Sequence, residues 1–150
     1  MRIEKMLKSI GVVVCISGMS LLASCHKDDP QPTKTELLTR SWSIVKGTVS
    51  GIEVPDFELA CVKDNLWIFS KGGAFNEDEG ATKCDPTDPQ SIETGKWALA
   101  NNDTLLKVTD VAGDETDFTI GVLSSTTLGL TFTEVLNGIS VQVSLTLAPK

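Results

Sequence analysis

Residues Cys61 to Val108 read CVKDNLWIFSKGGAFNEDEGATKCDPTDPQSIETGKWALANNDTLLKV, and this stretch decides the fold. Two apolar runs, Leu66 to Phe69 and Trp97 to Leu99, each meet a tight turn, Ser70-Lys71-Gly72-Gly73 and Asn101-Asn102-Asp103. A second strand-like run follows each turn, which is the pattern of two successive hairpins. Working outward, strands are predicted over Ser41 to Thr48, Asn65 to Phe69, Gly73 to Glu77, Glu93 to Leu99, Thr104 to Val108, Glu115 to Leu123, Leu128 to Val135, and Ile139 to Leu147. The last three are the clearest. Phe118, Ile120 and Val122, then Leu128, Leu130 and Phe132, then Ile139, Val141, Val143, Leu145 and Leu147 alternate with polar or small residues. Period two with one apolar face marks antiparallel strands that put one side on a core and the other in water.

The connectors Ala112-Gly113-Asp114, Ser124-Ser125-Thr126-Thr127 and Leu136-Asn137-Gly138 are short, and Asn-Gly favours a two-residue hairpin turn. Short connections make neighbours pair in chain order. Closing such a meander removes the sheet edges that would otherwise template aggregation. The expected fold is therefore all-β, an eight-stranded antiparallel up-and-down barrel. A two-sheet sandwich is the alternative, but it needs Greek-key crossings longer than these connectors allow. Before the first strand, Thr33-Lys34-Thr35-Glu36 has the spacing of a capping box, and Leu37 and Leu38 follow it. A short helical turn over Thr33 to Thr39 is expected, with its leucines closing one end of the barrel.

The amino terminus reads as an export leader. Arg2, Lys5 and Lys8 precede an apolar stretch from Ile10 to Ala23 that is interrupted by Ser17, Gly18 and Ser20. Leu22-Ala23-Ser24-Cys25 resembles the bacterial lipobox, in which cleavage precedes a cysteine whose thiol carries diacylglycerol. The resemblance implies a leader over 1–24, lipidation at Cys25, and a charged, proline-punctuated tether over 25–36 ahead of one domain at 37–150. Lys27-Asp28-Asp29 is similar to the signal that sends some Gram-negative lipoproteins to the outer face of the outer membrane; a plain solvated linker is the alternative.

The chain of 150 residues carries a net charge of −7, and loss of Arg2, Lys5, Lys8 and Glu4 with the leader leaves 10 Lys+Arg against 19 Asp+Glu, a net of −9. That sign excludes nucleic acid as a partner, because phosphate binding needs the opposite charge. Of the four cysteines, Cys15 leaves with the leader and Cys25 is acylated, so Cys61 and Cys84 remain as a pair in an oxidising space. A disulfide between them is expected, two separate buried thiols being the alternative. Closing a loop of about 23 residues contributes about 3 kcal/mol through the unfolded chain.

The order of Trp42 after a helical turn, Cys61, Asp64-Asn65-Leu66-Trp67-Ile68-Phe69, Gly72-Gly73-Ala74-Phe75, Cys84, Gly95-Lys96-Trp97 and Asp103-Thr104-Leu105 resembles the bacterial lipocalin-like domain lipoproteins. The resemblance covers Leu37 to about Leu147. It implies a lipocalin-like barrel on a lipid anchor. The chain departs from true lipocalins in having Arg40-Ser41-Trp42 where they have Gly-x-Trp, and in having no tyrosine for their Thr-Asp-x-x-Tyr loop.

No catalytic constellation is visible. Nucleophilic catalysis wants a base beside the nucleophile, and the only histidine, His26, sits next to the anchor. One histidine and no free Cys-x-x-Cys cannot make a zinc site, and the acidic loop from Glu77 through Asp88 lacks the ligand spacing of an EF-hand. The reading is a non-enzymatic protein without cofactor or metal. Trp42, Trp67, Phe69, Trp97, Phe118 and Phe132 are the bulky residues expected to line a lumen, or else to fill it. Two functions follow. In one, the anchored barrel takes a small, largely apolar ligand; in the other, a filled barrel displays the long segments Gly51 to Lys63 and Asp78 to Ile92 to a protein or glycan. A lumen of about 300 Å³ or more with one or two polar groups favours the first.

Overall fold

The computed structural model describes residues 30–56 and 59–150. The leader over 1–24, Cys25 and Lys27-Asp28-Asp29 lie outside the described residues. The chain opens with helix α1 (Lys34–Leu38), started by the expected capping box: Thr33 Oγ1 accepts from the Glu36 N–H, and the Glu36 carboxylate accepts from the Thr33 N–H. Nine strands follow: β1 (Ser41–Val49), β2 (Ile52–Glu53), β3 (Leu66–Phe69), β4 (Ala74–Asp78), β5 (Ser91–Ala100), β6 (Leu105–Asp110), β7 (Glu115–Leu123), β8 (Leu128–Leu136) and β9 (Ile139–Pro149). All pairings are antiparallel, from β1–β3 in order through β8–β9. β1 pairs again with β9, from Trp42↔Pro149 to Val49↔Val143, and this closes eight strands into an up-and-down barrel.

The alternating positions set the two faces of the wall. Along β8, Leu128 and Leu130 are buried and Gly129 between them is less so; along β3, Trp67 and Phe69 are buried. The register stacks these inward residues against one another: Leu128↔Leu147, Leu130↔Leu145, Phe69↔Phe75, Trp97↔Val108 and Leu106↔Phe118. At the hairpin tip between β8 and β9, Asn137 and Gly138 both have positive φ, at 52° and 80°, as the two-residue turn that matches strand twist requires. Gly95 has a different reason to lack a side chain. It faces inward where β6 crosses so closely that a Cβ would stand 2.1 Å from the Thr109 carbonyl oxygen.

The one strand not anticipated is β2. It is a two-residue return hydrogen-bonded to the far end of β1 (Thr48↔Glu53, Val49↔Ile52), outside the closed ring and too short to show alternation. The turn before it, Ser50-Gly51, has positive φ at both residues, and the Lys46–Glu53 ion pair bridges the two strands.

The barrel is closed at the end where β1 begins. Leu38 of α1 is wholly buried, and Trp42 beside it is wholly buried with its indole N–H donating to the Leu38 carbonyl at 3.0 Å. Arg40 lies over the Trp42 ring at 5.5 Å and donates to the Ser125 carbonyl, while Lys34 donates to the Asp103 carbonyl. The helix is thereby tied to the turns at that end. Every strand pairing and the buried core from Leu38 to Leu147 lie within the compact unit Gln31–Lys150, so this unit contains all it needs to fold.

Candidate functional site

At the opposite end lie both long connections, bridged by a disulfide between Cys61 and Cys84 with a Cα separation of 4.9 Å. The acidic residues of these loops act as acceptors for backbone N–H groups. Asp64 accepts from Ala81 and Thr82 at 2.9 and 2.8 Å, Asp78 from Gly80 and from the Gln90 amide, and Asp85 from Thr87. Partial burial raises the Asp64 pKa, but the N–H groups of Ala81 and Thr82 together outweigh it and hold the carboxyl below its ordinary value. Asn65 is buried beneath; its amide, oriented from the hydrogen-bond network, donates to the carbonyls of Glu79 at 2.7 Å and Cys61 at 3.2 Å. The loops are thus stitched to each other and to the wall.

Two loop residues enter the barrel. A Cβ placed on inward-facing Gly47 would sit 3.6 to 3.9 Å from Leu145, Leu59 and Val54, so Leu59 and Val54 occupy the space this glycine leaves. Leu59 is buried there. The segment after β2 therefore covers the β1–β9 side of the upper interior.

On the other side a cavity of about 190 Å³ remains. Trp67, Phe75, Val108, Phe118 and Phe132 line it with apolar surface, and Thr116, Glu77 and Glu134 supply its polar groups. The strands bring these residues together by register: Glu77 stands opposite Trp67 and Thr116 opposite Val108. The rings form one chain of contacts, Phe132 to Phe118 at 5.1 Å, Phe118 to Trp67 at 5.6 Å, Trp67 to Phe75 at 6.1 Å, Phe75 to Phe69 at 5.2 Å and Phe69 to Trp97 at 5.9 Å. Three of these five contacts join two cavity-lining residues. Mostly edge-to-face pairs of this kind hold rings in fixed orientations.

The six bulky residues singled out in the sequence are divided by the structure. Trp67, Phe118 and Phe132 line the cavity. Trp42, Phe69 and Trp97 belong to the packed interior instead: Trp42 and Phe69 are fully enclosed, and the Trp97 indole donates to the Ser70 carbonyl at 3.1 Å. The three indoles also differ in chemistry. Those of Trp42 and Trp97 are satisfied by carbonyls, whereas the buried Trp67 Nε1 has no hydrogen-bond partner among the described residues. An enclosed donor without a partner carries a cost of about 1–3 kcal/mol.

Sequence reasoning passed over Phe75, Val108, Thr116, Glu77 and Glu134. The signal for the acids was present, since Phe75-x-Glu77 and Phe132-x-Glu134 continue the inward alternation of β4 and β8. A wider depression of about 530 Å³ lies on the outside, against the outward residues Ala74, Thr94, Lys96 and Thr109. It belongs to the outer wall and has no connection with the lumen's aromatic chain beyond Phe75.

No protein-family model matches the chain, and no curated protein matches it. Among solved structures, it is similar to bovine odorant binding protein in complex with a selenium-containing odorant, at 11% identity over 83% of this chain and 77% of that one, with a TM-score of 0.47.

Proposed function

We propose that the chain is a lipid-anchored protein of the cell envelope whose barrel holds a small, largely apolar ligand. The observation that carries the binding reading is the cavity itself: an aromatic space of about 190 Å³ with three polar side chains. Its volume is below the about 300 Å³ at which ordinary small-molecule pockets begin, because Leu59 and Val54 occupy part of the upper interior. An apolar cavity of about 150 Å³ admits benzene, so the fitting ligand is a single ring with a short side chain. 2-Phenylethanol is a suitable neutral probe. Residues 31–150 are expected to bind it in calorimetric titration with a Kd near 1 mM, the scale of so few atoms. Thr116→Trp, which places an indole in the cavity from an exposed position, is expected to abolish the signal. Equal binding by that variant would show that the probe sits elsewhere.

The anchoring rests on the leader and on Leu22-Ala23-Ser24-Cys25. Cys25→Ala is expected to leave unprocessed or soluble protein, since stable anchoring needs more than one acyl chain. A variant that is still processed and still partitions wholly into detergent would contradict lipidation.

A second reading, loop display to a protein or glycan, is favoured by the stapled loops and by the apolar hairpin tip beside them. Val135, Leu136 and Ile139 are 61, 46 and 66% exposed there.

A further inference from the structure

We infer that the cavity selects a positively charged ligand, an aryl-alkyl ammonium, over neutral and anionic molecules of the same shape. This rests on the binding reading above and adds the charge of the ligand. Glu77 and Glu134 both line the cavity, and among the described residues no lysine, arginine or histidine does. The two carboxyls of the lining thus stand on the inner side of the wall, Glu77 on β4 and Glu134 on β8.

The aromatic walls act in the same direction. The faces of Trp67, Phe118 and Phe132 carry negative quadrupoles, which attract a cation and repel an anion. Two carboxylates in a partly dehydrated space interact with a bound charge more strongly than they would in water. An ammonium gains from both features. A carboxylate ligand of equal size meets two like charges, and juxtaposed like charges strongly suppress wrong partners. The single ring of an aryl-alkyl ammonium suits the aromatic part of the cavity, and a two-carbon side chain lets the charge lie toward Glu77 and Glu134. Thr116, across the strand pair from Val108, offers a hydroxyl beside them.

The experiment compares 2-phenylethylamine, 2-phenylethanol and phenylacetate, which share one skeleton, at pH 7 and low salt with residues 31–150. The amine is expected to bind five- to tenfold more tightly than the alcohol, and phenylacetate more weakly than either. The amine-to-alcohol ratio should fall toward one in Glu77→Gln/Glu134→Gln and in high salt. Reading the ratio separates charge selection from damage to the pocket, which lowers both affinities alike. If the alcohol binds and the amine is no tighter, or the ratio survives in the double variant, charge selection is overturned while the pocket stands. If none of the three binds, the pocket reading falls and this inference with it.

Discussion

Trp42→Ala is expected to lower the stability of the barrel by about 3–5 kcal/mol, the range for deleting a buried indole. Trp42 is wholly enclosed and donates to the Leu38 carbonyl, and Arg40 lies over its ring. Its loss empties the floor of the barrel and releases α1, whose five residues cannot hold a helix without packing. For a domain of this size that corresponds to a fall in Tm of about 10–20 °C. Trp42→Phe keeps most of the ring but not the N–H, and should lie well short of the alanine variant. A thermal melt of residues 31–150 followed by circular dichroism checks both. A fall of under about 1 kcal/mol for the alanine variant would show that the closed end does not depend on this residue.

Replacing the cysteine pair has the next largest expected effect. Cys61→Ser/Cys84→Ser should cost about 2–5 kcal/mol, the usual range for a native bridge in a small exported domain, while leaving the β-sheet dichroism below the transition intact. The bond closes a loop of 23 positions and joins the two long connections. Asp64 and Asn65 add non-covalent ties between the same segments, so the folded loops keep part of their order without it. Thiol titration of the unfolded, unreduced domain should find no free thiol. Two per chain would remove the bridge from the structure.

How much of this was legible in the sequence follows from the range of the interactions involved. The eight ring strands and the helical turn were readable because alternation, turn residues and the Thr33–Glu36 capping box are local signals. β2 was not, since two residues cannot display a period. The insertion of Leu59 opposite Gly47 was hidden for another reason: it joins a loop to strands more than ten residues earlier and some eighty later. The division of the aromatics into packed core and cavity wall depends on which side chains meet across the strands. Those meetings are set by register, including the shifts at Ile44/Lys46, Glu77/Asp78 and Ile120/Val122, and alternation alone does not reveal them. The acids at inward positions 77 and 134 were readable but overlooked; a charged residue in apolar phase marks either an error of phase or a lined cavity.

The cavity is tested most directly through the three indole N–H groups, because Trp67 lines it whereas Trp42 and Trp97 do not. Those of Trp42 and Trp97 are bonded to the Leu38 and Ser70 carbonyls, while that of Trp67, on the cavity wall, has no partner among the described residues. In a ¹⁵N-labelled sample of residues 31–150, assigned by single Trp→Phe replacements, 2-phenylethanol is expected to shift the Trp67 indole resonance saturably and to leave those of Trp42 and Trp97 nearly unmoved. A Trp67 resonance that stays in place while the probe binds, or three resonances that move together in proportion to probe concentration, would contradict a ligand-holding barrel.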